Sequence, residues 1–293
     1  QRKLSDYLME GMGIDRTHCG IAETEHPFTT NFNNKDVRIT THYMPQDMFS
    51  NLYSVAHEGG HALYELNVDP KYDYTILAGG ATTGLHESQS RLFENYVGRS
   101  RAFIHYLYPT LLELFPQQLN GVTEEEIYRA VNRAEPSLIR TEADEVTYCF
   151  HIILRYEMEK AIFRDHVPAE KLPALWNQKM KEYLQIVPGN DAEGILQDMH
   201  WSDGSFGYFP SYLLGSIYDG MYVDTIEAEL GPIDDILAEG RIGEITQWLN
   251  EKIHRYGSTR TPREVIENVC GREVSAEPLV RYFQKKYTAV YGL

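Results

Sequence analysis

Ala56-His57-Glu58-Gly59-Gly60-His61-Ala62 lies inside a run, residues 46–67, whose apolar side chains recur at helical spacing. On a helix, residues four apart are stacked neighbours, so the His57 and His61 imidazoles converge and can hold one cation. Glu58 points near that cation without binding it. A carboxylate there can take a proton from a metal-activated water and hand it to a leaving amine. Gly59 and Gly60 each cost the helix roughly 1 kcal/mol relative to alanine. They imply either a close approach of substrate or backbone, or tight helix packing.

The same helical spacing recurs at about 82–99, 101–115, 123–134, 141–164, 168–184, 208–230, 240–255, 261–270 and 276–290, so the fold class is mainly α. Prolines fall between these segments or in their first turns. Thr123, Asp191, Thr261 and Ser275 read as N-caps, with a capping box at Thr123-Glu124-Glu125-Glu126. Between about Thr29 and Tyr43 the rhythm changes. Asp36-Val37-Arg38-Ile39-Thr40-Thr41-His42-Tyr43 is β-branched and alternating, and follows the turn-like Asn31-Phe32-Asn33-Asn34-Lys35, so it predicts a short strand or hairpin just before the metal-binding helix. His200 to Pro210, rich in Gly, Ser, Asp and aromatics, reads as an irregular loop of the kind that lines a site. No repeat, low-complexity tract or long linker interrupts the chain, which reads as a single catalytic domain over 1–293.

Acidic residues outnumber basic ones by 43 to 27, a formal charge of −16, which argues against nucleic acid as a partner. No run of about 18 apolar residues is present to cross a membrane. The three cysteines, Cys19, Cys149 and Cys270, are widely separated and form no C-x-x-C pair, which fits a reducing cytoplasm. Cys149 and His151 are two apart on a predicted helix and diverge, so Cys149 reads as a small core residue. The first residue is Gln1 rather than Met, which suggests a piece of a longer protein.

A catalytic zinc takes three protein ligands and one open position. The next predicted helix offers the third in Thr83-Gly84-Leu85-His86-Glu87-Ser88-Gln89-Ser90-Arg91. Glu87 is the first choice, with His86 and Glu94 as rivals; Glu94 also reads as a group supporting a ligand, or as a solvated helix residue.

Five short motifs in this order resemble those of the carboxypeptidase Taq family of metallocarboxypeptidases. They are Asp36-Val37-Arg38-Ile39-Thr40; His57-Glu58-Gly59-Gly60-His61; His86-Glu87-Ser88-Gln89; Ile139-Arg140-Thr141-Glu142-Ala143-Asp144; and Gly194-Ile195-Leu196-Gln197-Asp198-Met199-His200-Trp201. The resemblance spans the chain from about residue 20 onward. It implies a gluzincin-like helical metallopeptidase, zinc or cobalt held by His57, His61 and Glu87, and Glu58 as general base and acid. It also implies broad-specificity release of C-terminal residues from peptides, and a homodimer. Family members carry a further N-terminal helical region forming one wall of a groove, so this chain resembles the C-terminal catalytic part.

A carboxypeptidase must recognise a free carboxylate, which a fixed guanidinium matches at two points. Arg140 is the candidate, against a structural ion pair with Glu142, Asp144 or Glu145. Arg38 is the second candidate, though Asp36 beside it favours a structural pair. For the oxyanion, His200 and Tyr208 are the candidate donors, as the resemblance to gluzincins also suggests, and Tyr212 is the rival of Tyr208. Asp144 and Asp198 read as carboxylates that orient other groups or satisfy buried donors. Rival functions are an aminopeptidase or oligoendopeptidase with the same metal set, or an inactive metal-binding fragment acting through protein contacts.

Overall fold

A computed structural model describes residues 1–293 as mainly helical, with one small sheet. The chain divides into two compact units: Gln1–Val131 with Leu214–Leu293, and Asn132–Leu213.

The first unit opens with α1 (Arg2–Gly11) and three strands, β1 (Cys19–Glu23), β2 (Thr29–Asn33) and β3 (Asp36–Thr41). The strand order is β1-β3-β2. β3 runs parallel to β1, with Cys19 opposite Val37, and antiparallel to β2, with Thr29 opposite Ile39. Val37 and Ile39 are wholly buried, as their β-branched chains at a two-residue step require. The helix α2 (Met48–Leu66) packs on β3 and is capped by Asp47, whose carboxylate accepts the Phe49 and Ser50 N–H groups. Then come α3 (Thr83–Arg91), which runs on through a widened π-turn to Val97, α4 (Arg101–Leu114) and α5 (Glu124–Val131). The unit resumes along α8 and closes with α9 (Ile233–Ala238), α10 (Ile242–Lys252), α11 (Pro262–Cys270) and α12 (Glu277–Tyr291); α8 itself spans Pro210–Leu230. Capping boxes close at Thr123 with Glu126 and at Thr261 with Glu264.

The second unit holds α6 (Glu145–Phe163) and α7 (Leu172–Leu184), joined around Leu154, Met158, Trp176, Met180 and Leu184. Asp144 caps α6 by accepting the Val146 and Thr147 N–H groups, so its carboxylate satisfies donors of that helix. Residues 188–209 are turns, and Asp191 opens one of them instead of capping a helix. α1, β1 and α9 lie outside the segments that the sequence pattern predicts.

The two motif glycines have different reasons. A Cβ on Gly60 would lie 2.3 Å from the Gln89 carbonyl oxygen and 2.7 Å from Ser90 Cα, so α2 and α3 touch backbone to backbone there. A Cβ on Gly59 would meet the Met12 methyl at 2.8 Å, the far end of a flexible side chain. Packing therefore accounts for both. Gly60→Ala is expected to destabilise by about 1–3 kcal/mol, because neither backbone can yield, and Gly59→Ala by less. Urea melts check this, and an equal cost at the two positions would contradict it.

Candidate active site

Residues 57, 61 and 65 follow one another at four-residue steps along one face of α2. α3 crosses that face and brings Glu87 to it, with Glu87 Oε2 3.8 Å from His57 Nε2 and 3.6 Å from His61 Nε2. One donor atom from each of the three falls within 4.8 Å of the others. Ligands bound at 2.0–2.2 Å around a tetrahedral zinc stand roughly 3.4 Å apart, so two imidazoles and a carboxylate at these separations fit a divalent ion.

The remaining valences are already committed. His57 Nδ1 meets Glu94 Oε2 at 2.9 Å and His61 Nδ1 meets His86 Nδ1 at 2.7 Å, which leaves both Nε2 atoms for a cation. Arg91 Nε donates to Glu87 Oε1 at 3.0 Å, and Arg91 Nη1 to Glu94 Oε2 at 3.1 Å. Glu94 and His86 thus stand behind the two histidines rather than beside Glu87. Glu94 sits in the π-turn, where the Gly98 N–H reaches back five residues to the Phe93 carbonyl.

Burial lowers the His57 imidazole, but Glu87 and Glu94 outweigh it and lift its pKa to about 9. His61, equally buried and beside other imidazoles, falls to about 4. Burial raises Glu87, yet His57, His61 and Arg91 together hold it well below the usual carboxylate range. Glu58 goes the other way: burial pushes it up, and His57 and Thr29 offset this only in part. The Thr29 hydroxyl donates to Glu58 Oε2 at 2.6 Å, which leaves Oε1 to take up a proton.

Within the second unit, Arg140, His200, Tyr208 and Tyr212 come together. Arg140 is buried; its Nε and Nη2 donate to Asp198 Oδ1 at 2.9 and 2.7 Å and its Nη1 to the Tyr148 hydroxyl at 3.0 Å. Its ion-pair partner is Asp198, not Glu142, Asp144 or Glu145. Its guanidinium also lies 5.0 Å from the Tyr212 ring centre. His200 Nε2 meets the Tyr212 hydroxyl at 3.0 Å, and the His200 ring stacks on Phe209 and lies 5.5 Å from Tyr208. Burial, then Arg140, lowers the His200 pKa. Arg38, in the first unit, is exposed and forks onto Asp36 at 2.8 and 2.9 Å.

Thr29, Glu65, Arg91 and Arg155, the last bound to Asp198, also belong to these clusters, though the sequence alone does not single them out as site residues. Only Glu65 had a usable signal, its four-residue step from His61. Arg155 looks like any helix arginine.

The model of the family described as "Carboxypeptidase Taq (M32) metallopeptidase" matches residues 1–287. "Carboxypeptidase 1" of Bacillus subtilis is 44% identical over 293 residues, covering 100% of this chain and 58% of that protein. "Thermostable carboxypeptidase 1" of Pyrococcus furiosus is 42% identical over 271 residues, covering 92% of this chain and 54% of that protein. The crystal structure of the M32 carboxypeptidase from Deinococcus radiodurans superposes with a TM-score of 0.97 at 39% identity, covering 100% of this chain and 59% of that one. The chain spans a little over half the length of the curated relatives it matches.

Proposed function

Because the chain belongs to the carboxypeptidase Taq (M32) family of metallopeptidases, we propose that it is a metal-dependent carboxypeptidase that removes C-terminal residues from peptides with broad side-chain tolerance. The observation that carries this reading is Glu87 Oε2 facing two Nε2 atoms whose rings are fixed from behind. His57, His61 and Glu87 would hold zinc, with cobalt as the alternative. When bound, the ion supplies a Lewis acid that polarises the scissile carbonyl and makes a water nucleophilic near neutral pH.

Glu58 accepts that water's proton at Oε1 and delivers it to the departing amine, while Thr29 holds Oε2 and fixes the carboxylate's orientation. Arg140 anchors the substrate carboxylate through the second protons of Nη1 and Nη2, Asp198 and Tyr148 having taken the others. His200 and Tyr208 donate to the developing oxyanion, and Tyr212 orients His200 and borders the peptide. Arg38 contributes by keeping β3 in place through Asp36. In this reading residues 1–293 serve as one catalytic domain of a cytoplasmic homodimer, the location resting on three widely separated cysteines with no C-x-x-C pair. No helix is long and apolar enough to cross a membrane.

The test is metal content measured with hydrolysis of an N-terminally blocked dipeptide bearing a free carboxylate. One zinc or cobalt per chain and release of the last residue are expected. Arg140→Ala should raise KM for that substrate and leave C-terminally amidated peptides unaffected. Metal without any cleavage would favour a binding fragment, and preferential internal cleavage an oligoendopeptidase.

A further inference from the structure

Behind His61 the polar chain continues. His86 Nδ1 is 2.7 Å from His61 Nδ1, and His86 Nε2 is 2.6 Å from Glu65 Oε1. Once His61 Nε2 offers its lone pair to a cation, the protons along this chain have one neutral arrangement. His61 carries its proton on Nδ1 and donates to His86 Nδ1; His86 therefore carries its own on Nε2 and donates to Glu65.

Glu65 is built into this position from both sides. It is 7% exposed. Its Oε1 also accepts the Gly80 N–H at 3.0 Å, and its Oε2 accepts the Asn31 amide at 2.8 Å. The loop above it is bare of side chains where it passes. Gly79 has φ +88°, and a Cβ there would stand 3.3 Å from Glu65 Oε2. A Cβ on Gly80 would stand 2.5 Å from His86 Cδ2 and 3.0 Å from its Nε2. Ser258 Oγ, 3.2 Å from both the Gly79 and Gly80 carbonyls, pins that loop from beneath.

We propose that Glu65 is a positioning residue for the metal centre, acting through His86 to lock His61 in its Nδ1–H tautomer and to strengthen its Nε2 as a ligand. The two histidine ligands are then backed unequally: Glu94 reaches His57 directly, whereas Glu65 reaches His61 across an imidazole. The inference rests on His57 and His61 being metal ligands.

Zinc dissociation constants measured on the full chain by chelator competition test both layers separately. Wild type, Glu65→Gln, His86→Ala and the double variant are compared. Wild type is expected to bind one zinc; Glu65→Gln weakens it about 10–100-fold, and the double variant is no weaker than His86→Ala. The metal-free Glu65→Gln chain should melt within about 2 °C of wild type, since the glutamine oxygen still accepts the Gly80 N–H and a turned Asn31 amide presents its own oxygen to the new NH2. Wild type without zinc removes the metal assignment and this inference with it. With zinc bound, three results overturn Glu65 alone: affinity unchanged by Glu65→Gln, an equal loss with and without His86, or a large fall in melting temperature.

Discussion

Glu58→Gln is expected to keep its metal and lose turnover, with kcat on a blocked dipeptide falling about 10²–10⁴-fold. The substitution is isosteric, and the Thr29 hydroxyl still finds an oxygen to donate to. Glu58 is not among the three grouped donors, so metal content stays at the wild-type level. What disappears is the basic oxygen. Burial has raised the affinity of this carboxyl for a proton, which suits a group that must take one up and then give it away. A KM near that of wild type with a collapsed kcat places the loss in the transition state. A variant that retains a tenth of the wild-type kcat, or loses its zinc, removes Glu58 from this role.

Asp198→Asn is the second large effect, and it falls on stability. One carboxylate neutralises two buried guanidinium groups: Oδ1 accepts from Arg140, and Oδ2 accepts from Arg155 Nε at 2.7 Å. Arg155 has no exposed side-chain surface, and burial pushes its pKa down to about 10. Without Asp198 both cations are stranded, at a cost of about 3–5 kcal/mol. Burial alone would raise the Asp198 pKa, but Arg155 and Arg140 outweigh it and hold it below its ordinary value. A carboxyl depressed in the folded state contributes stability above its unfolded pKa of about 3.9 and loses it as the pH falls through the folded value. Wild type should therefore weaken on acidification below about pH 4, and Asp198→Asn should show a shallower acid slope. Urea melts followed by tryptophan fluorescence report this, since Trp176 and Trp201 both lie in the second unit. A cost under 1 kcal/mol at pH 7 would contradict the pairing.

Local periodicity made the long helices legible, and α2, α6 and α8 stand close to their predicted spans. α9, six residues long, is too short for a period to show. β1, Cys-Gly-Ile-Ala-Glu, has little β-branched character, and its partner β3 lies beyond a turn and another strand. The site divides the same way. His57 and His61 declare themselves because helical geometry alone joins them, and Glu87 followed from the expectation of a second helix packed on the first. Asp198 was legible as a carboxylate that orients another group, but its pairing with Arg140 and Arg155 was not, because the three are joined only by the fold: Asp198 is 58 positions from Arg140 and 43 from Arg155.

The backbone contact between Gly60 and Gln89 bears on how an ion would come and go. α2 and α3 meet there through main chain and not through the three donors, so an emptied site would keep its frame and lose only the contacts of His57, His61 and Glu87 with the ion. Recapture then requires rotamer changes and loss of water from the ion, but no refolding. Stripping with a chelator should thus be a reversible exchange, and the same frame can be reloaded with a different divalent ion.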